Sequence, residues 1–185
     1  WYLTENFNGD CLTFGYAQAG QENSFGWARM GFGITYQFEQ FEKLQNEGKI
    51  TVETLGESGE WFKKTYEITP ASAITAHSAY DDEDKNSVWY SRKNYRINLY
   101  SDHGMVRIRD LHIFSDDFLD PFLDEVCTDE KACYEALPFI DGNRYSGKGV
   151  LAGGYIEGID ATSVMSFSDS GCGKAKVDYG SFSFE

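Results

Sequence analysis

The stretch YRINLYSDHGMVRIRDLHIF, residues 95–114, decides the fold class of this chain. It holds two strand-like runs, 95–100 and 105–114, in which apolar and polar residues alternate as on a half-buried strand. The four residues SDHG at 101–104 separate the runs and provide a glycine where a hairpin turn needs a positive φ. The stretch therefore predicts an antiparallel β-hairpin.

The second run changes phase near Asp110. Val106 and Ile108 share one face of the predicted strand, whereas Leu111 and Ile113 fall on the other. A single extra residue in one strand shifts the alternation by one position. We therefore predict a β-bulge there, which returns the later apolar residues to the core face.

Other segments carry the same strand pattern. The runs closed by turn residues predict a meander of three strands and then several later ones, at 31–41, 49–55, 61–69, 150–156, 163–167 and 176–184. The region 116–136 differs, because apolar residues recur there at helical spacing behind an acidic start, at Phe118, Leu119, Phe122, Leu123 and Val126. We predict a short helical insertion over 116–136.

Composition supports a sheet-rich protein. The chain has 185 residues, with 4 Trp, 12 Tyr, 14 Phe and 19 Gly, and aromatic residues favour a pleated surface. The length suits one domain. The sequence therefore predicts an all-β fold, a two-sheet antiparallel β-sandwich of jelly-roll type, as a single domain over residues 1–185.

Charge and hydropathy exclude two classes of partner. The net charge is −14, which repels a phosphate backbone over most of the surface, so nucleic acid is not expected as a partner. The apolar stretches are far shorter than the roughly 20 residues that a membrane-spanning helix needs. We expect no membrane insertion.

Four cysteines indicate a compartment. They lack the paired spacing of a zinc site, and an even number suits two disulfides in an oxidising compartment. Five residues separate Cys127 from Cys133, a short loop that a disulfide can close, which leaves Cys11 to pair with Cys172 if the chain ends are neighbours. The alternative is four free thiols in a cytosolic protein. We expect a secreted or cell-surface protein, and the absence of Asn-x-Ser/Thr sites favours a bacterial envelope.

The two ends of the chain resemble a known class of domain. The opening WYLTENFNGD, residues 1–10, and the closing KVDYGSFSF, residues 176–184, are similar to the first and last strands of secreted jelly-roll domains, namely concanavalin-type sandwiches and carbohydrate-binding modules. This resemblance implies a glycan-binding or surface-adhesion domain. The chain lacks the Glu-x-Asp-x-x-Glu phrase of sandwich glycosidases, which favours binding without catalysis.

The 95–114 hairpin and the strand before it supply the candidate ligand-binding residues. Arginine forks bind carboxylates or sulfates of an acidic glycan, and exposed aromatic rings stack on pyranose faces. The candidates are Trp89, Tyr90, Arg96, Arg107 and Arg109. The alternative is that the arginines pair with acidic side chains of the protein and that the rings fill the core.

Two further functions remain open at this point. A polysaccharide lyase or glycoside hydrolase on the same scaffold would use His112 with Tyr95, or alternatively Tyr90 or Tyr100, as its acid–base pair and Arg109 to neutralise a uronate carboxylate. A structural domain of a larger envelope protein would need no site at all.

A structural Ca²⁺ ion is the one cofactor that we predict. If the terminal strands pair, oxygen ligands from Glu5, Asn8, Asp10 and Asp178 converge. The alternative is that Asp178 faces solvent or pairs with Lys176.

Overall fold

The computed structural model describes residues 1, 5, 10–18, 25–117, 122, 124–128, 130, 137–142, 144–157, 166–171, 173–178 and 183–184. The chain divides into two compact units. One unit comprises Trp1–Gly15 with Ile68–Glu185, and the other comprises Tyr16–Glu67. The single domain expected over residues 1–185 stays a prediction.

Antiparallel strands dominate the first unit. Its larger sheet has the order β1-β2-β3-β4-β5-β6 among the described residues, and β7 also pairs with β5; β8, β9 and β10 form a second sheet with β9 in the centre. The strands are β1 (Cys11–Leu12), β2 (Ser72–Ala76), β3 (Lys85–Arg92), β4 (Tyr95–Asp102), β5 (Met105–Ile113), β6 (Leu137–Ile140), β7 (Gly154–Tyr155), β8 (Ser166–Gly171), β9 (Lys174–Asp178) and β10 (Ser183–Phe184). The expectation of a sheet-rich, antiparallel fold is confirmed.

The second unit contains two helices, so the all-β prediction is wrong for this segment. Helix α1 spans Trp27–Asn46 and helix α2 spans Leu55–Thr65. The predicted strands at 31–41, 49–55 and 61–69 are therefore not formed. The alternation at 31–41 is misleading because Phe32, one of its apolar positions, is 89 % exposed. The residues that α1 buries, Gly31, Ile34 and Phe41, follow helical spacing.

A capping box begins helix α2. The Thr54 hydroxyl accepts a hydrogen bond from the Glu57 backbone N–H at 3.3 Å, and the Glu57 carboxylate accepts one from the Thr54 N–H at 2.8 Å. Together these bonds satisfy two N–H groups that a helix start leaves without partners. This local signal outweighs the short strand pattern at 49–55.

Most of the predicted helical insertion at 116–136 lies outside the described residues. Asp116 and Asp117 lie in a turn, and Phe122 lies in a 3₁₀ turn. The described residues of this region contain no α-helix.

The larger sheet has one apolar and one polar face. Leu12, Ala73, Val88, Leu99 and Val106 are all buried, and the strand register places them on one side, which we call the apolar face. Burial of such side chains contributes about 1.5–3 kcal/mol each. The opposite side, the polar face, carries the charged residues of β4 and β5 and, from β3, Lys85.

Candidate functional site

The polar face is built by cross-strand register. Trp89 of β3 lies opposite Asn98 of β4, which lies opposite Asp110 of β5. Arg96 of β4 lies opposite His112 of β5 in the same way. Since residues that pair across strands share a face, these five side chains lie on one side of the sheet.

A β-bulge at Arg109 corrects the phase of β5. Leu99 pairs with Ile108 and the adjacent Asn98 pairs with Asp110, so Arg109 has no partner across the strand. The bulge predicted near Asp110 is confirmed. It brings Asp110 to the polar face, where alternation along β5 already places Arg109.

Arginines and aromatic rings alternate on this face. The Arg96 guanidinium lies 5.3 Å from the Trp89 ring, and that of Arg109 lies 6.0 Å from Trp89 and 4.7 Å from Tyr100. The Arg107 guanidinium lies 5.2 Å from Tyr100. Such contacts are attractive because the face of an aromatic ring is electron-rich. We call these five residues the arginine–aromatic row.

Part of the polar face is deeply buried. Asn98 is 0 % exposed, and Arg107, Asp110 and His112 are also buried. The Arg107 Nη1 donates a hydrogen bond to the Ala152 carbonyl at 2.9 Å, and the Asp110 carboxylate accepts one from the Gly142 N–H at 3.2 Å. These bonds attach the segment after β6 to the polar face.

A shallow pocket of about 280 Å³ opens beside the row. Two of its rings are exposed, Trp1 at 49 % and Tyr80 at 81 %. Trp1 is held by a hydrogen bond of 2.9 Å from its indole N–H to the Ser78 carbonyl. The pocket thus offers aromatic and cationic groups together, and its lining includes Trp1, Tyr80, Lys85, Ser87, Tyr100 and Arg109.

The structure brings together four of the five predicted ligand-binding residues. Trp89, Arg96, Arg107 and Arg109 all belong to the row, whereas Tyr90 lies on the apolar face and donates its hydroxyl to the Gly173 carbonyl at 2.9 Å. Burial raises the pKa of the Tyr90 hydroxyl. Arg107 is buried, and its side chain is hydrogen-bonded to the Ala152 carbonyl of the segment after β6. These placements leave Trp89, Arg96 and Arg109 as candidates for ligand contact.

The predicted catalytic set is not assembled. His112 and Arg109 are on the polar face, but Tyr95 pairs with Ile113 on the apolar face, where its ring lies 6.0 Å from that of Tyr90. The sheet therefore separates Tyr95 and Tyr90 from His112, whereas Tyr100 lies on the polar face, 4.7 Å from the Arg109 guanidinium.

Sequence reasoning missed the exposed rings of the pocket. Tyr80 lies in a polar turn directly before the acidic segment 81–84, and a large ring in such a turn has no core to fill. The position of Tyr80 in a polar turn was the sequence signal that could have predicted an exposed ring. Trp1 carries no comparable pattern.

The residues predicted to hold calcium have other contacts. The Glu5 carboxylate accepts a hydrogen bond from the His77 N–H at 2.6 Å, and the Asp10 carboxylate lies 2.9 Å from the His77 Nε2. Asn8 lies outside the described residues. Asp178 ends β9 and pairs with β8 and β10, and the described part of the chain shows no pairing between β1 and β10. The calcium site stays a prediction.

A second group of possible metal ligands lies in the turns at one end of the sheet. The ligand atoms of Asp82, Asp84 and His103 lie within 4.8 Å of one another. Lys85 already contacts Asp82, with 3.1 Å between Nζ and Oδ2. The contact with Lys85 lowers the pKa of Asp82, so its carboxylate stays charged. Lys85 therefore already provides one positive charge beside Asp82.

The His103 imidazole makes stability depend on pH. Its hydrogen bond to Asp102, 2.7 Å long, raises the pKa of the imidazole, and the charge of Asp82 adds to this effect. A raised folded-state pKa contributes stability that is complete below the ordinary value of about 6.5 and is lost as the pH rises through the folded-state value.

We therefore expect the melting temperature to fall between about pH 6 and pH 8, and the fall to be smaller in His103→Asn. Asparagine suits the positive φ of 48° at this position, so the variant should fold. Thermal unfolding across this pH range makes the comparison. Equal slopes for the two proteins would contradict the assignment to His103.

The residues that the structure describes contain no disulfide. Cys11 and Cys127 are free and exposed, and Cys133 and Cys172 lie outside the described residues. Both bridges stay predictions.

We expect peptide mapping without reductant to show Cys11 linked to Cys172 and Cys127 linked to Cys133 in protein made in an oxidising compartment. Residues next to the first pair approach a common point: Thr13 donates to the Ala71 carbonyl at 2.6 Å, and a Cβ built on Gly173 lies 3.1 Å from the Ala71 Cβ. Four thiols reactive under denaturing conditions would contradict both bridges.

Comparisons with protein-family models, with curated proteins and with solved structures find no match to this chain. Among the described residues, no helix has the length and apolar character needed to cross a membrane.

Proposed function

We propose that this protein is a non-catalytic glycan-binding domain and that the pocket beside the arginine–aromatic row is its binding site. One observation carries the proposal: two exposed rings, Trp1 and Tyr80, border the same open pocket as the cationic side chains of Lys85 and Arg109. Binding sites combine apolar surface with a few polar groups that fix the orientation of the ligand.

The chemistry of the pocket suits a sugar ring. The apolar face of a pyranose stacks on an indole or phenol ring, and its hydroxyls need hydrogen-bonding partners at the edges. Tyr80 and Trp1 supply free ring surface. Trp89, which we expected to be the platform, has guanidinium groups near its ring and acts instead as a support for Arg96 and Arg109. Ser87 and Lys85 supply polar groups.

Catalysis by a lyase or hydrolase on this scaffold has weaker support. A general base must reach the proton that it removes. His112 is only 7 % exposed, and Tyr95 lies on the other side of the sheet. We therefore favour binding, or a structural role in an envelope protein if the pocket binds no sugar.

We propose further that the two sheets form a β-sandwich of jelly-roll type in a secreted or cell-surface protein. Support for the sandwich comes from the apolar face, where the Tyr90 hydroxyl reaches the Gly173 carbonyl between β8 and β9. Val177 of β9 is also buried.

The proposal is tested with a panel of immobilised neutral and acidic polysaccharides. We expect the protein to retain at least one of them, and Tyr80→Ala to weaken that binding at least about tenfold, because the free ring surface is removed. The control is Tyr36→Ala, which removes an exposed tyrosine of helix α1. Binding to no member of the panel, or equal losses in the two variants, would contradict the proposal.

A further inference from the structure

Two arginines of the row lie around one indole. The guanidinium carbons of Arg96 and Arg109 lie 5.3 and 6.0 Å from the centre of the Trp89 ring. A guanidinium that packs on a ring is held in place, while its planar fork of N–H groups can still bind an oxyanion. The polar face therefore holds two guanidinium groups at neighbouring, defined positions, and that of Arg109 also contacts the Asp110 carboxylate, with 3.4 Å between Nε and Oδ2.

Arg96 and His112 show a further sign of a missing acceptor. The Nε of Arg96 and the Nε2 of His112 are buried, and the described residues provide no hydrogen-bond partner for either atom. The two residues face each other across β4 and β5. The nearest carboxylate oxygen, Oδ1 of Asp110, lies 3.7 Å from His112 Nε2, which is too long for a hydrogen bond.

Buried polar atoms are almost always hydrogen-bonded, so these two unpartnered nitrogen atoms leave this end of the row short of acceptors. A carboxylate or sulfate oxygen accepts from an arginine Nε and from a histidine N–H alike. Arg96 and Trp89 are only partly buried, so their remaining surface is open to a ligand.

We infer that the ligand is an acidic glycan with repeated carboxylate or sulfate groups. One acid group binds Arg109 at the edge of the pocket, and a second binds the guanidinium fork of Arg96, whose side chain is only partly buried. This inference rests on the proposed function, because the sugar rings must occupy the pocket. With a net charge of −14, much of the protein surface repels a polyanion and restricts it to this face.

The test compares a uronic-acid oligosaccharide with its carboxyl-reduced, neutral counterpart of the same linkage. Calorimetric titration of the unmodified protein should show at least about tenfold tighter binding of the uronate, and the difference should shrink as the salt concentration rises. A sulfated oligosaccharide of the same linkage is titrated as well, and its affinity shows whether the protein prefers carboxylate or sulfate groups.

Variants assign the effect to residues. Arg96→Gln and Arg109→Gln should each weaken uronate binding about tenfold and weaken binding of the neutral glycan much less. Arg96→Lys keeps the charge but loses the fork, and should fall between Arg96→Gln and the unmodified protein. Arg92→Gln is the control for net charge, because Arg92 is an exposed residue of β3 on the opposite side of the sheet.

Each outcome is decisive. Equal affinity for the acidic and neutral forms, or full uronate affinity in Arg96→Gln, would overturn the inference. Tyr80-dependent binding of neutral glycans alone would overturn it and leave the proposed function standing, whereas binding of no glycan would overturn both. If Arg96→Gln fails to fold, the pair of oligosaccharides and Arg109→Gln still decide.

Discussion

Gly153→Ala is expected to destabilise the first unit by about 2–4 kcal/mol. Gly153 has a φ of +130°, which side chains of L-residues rarely adopt, and a Cβ built there lies 2.6 Å from the carbonyl oxygen of Ile108. The backbone of β5 cannot move away cheaply, because Ile108 is bonded into the sheet beside the bulge. The backbone strain at position 153 and the collision with Ile108 therefore both lower the free energy of unfolding of the variant.

The neighbouring glycine provides a matched control. A Cβ built on Gly154 meets no atom within 4 Å, and its φ lies outside the positive region. Gly154→Ala should change the free energy of unfolding by no more than about 0.5 kcal/mol. Urea titration followed by circular dichroism measures both variants. Equal stability of the two would show that the chain after β6 does not pack on the bulge as described.

Asn98→Asp is expected to be more destabilising still, by about 3–5 kcal/mol at neutral pH. The Asn98 side chain is completely buried, and its amide donates to the Val88 carbonyl at 3.0 Å. An aspartate at this position removes that donor and places a second carboxylate opposite Asp110. Burial and like charge both disfavour ionisation of the new group.

The pH dependence distinguishes this cause from a general packing defect. The introduced carboxyl has a folded-state pKa above its unfolded value, so the loss of stability should shrink as the pH falls towards about 4. Asn94→Asp, the same change in the exposed turn between β3 and β4, should have little effect at any pH. A loss in Asn98→Asp that does not vary with pH would contradict a buried charge.

Sequence patterns predicted the centre of the sheet because local and tertiary preferences agree there. The 95–114 hairpin has a turn in which His103 and Gly104 both take positive φ. The phase change near Asp110 is explained by a single extra residue in β5 opposite β4. Alternation alone gave a wrong prediction at 31–41. Ile34 and Phe41 also share one face of a helix, so the apolar residues of this segment fit a helix as well as a strand.

The candidate site was predicted only in part, for a similar reason. Alternation places Arg107 and Arg109 on one face of β5, and a bulge is needed to bring Asp110 and His112 to that face. The pocket depends on Trp1 and Tyr80, which lie 79 positions apart in the chain and are brought together by the fold. Pairings of this kind are decided by tertiary contacts that no local pattern encodes.

Oxidative footprinting tests the central claim, that the pocket beside the row binds a glycan. The panel ligand with the highest affinity is added at saturation, and hydroxyl-radical oxidation of each aromatic residue is measured by mass spectrometry. We predict that Trp1 and Tyr80 become protected while Trp27, 62 % exposed on helix α1, is oxidised as before. Protection of Trp27 with unchanged oxidation of Trp1 and Tyr80 would contradict the account.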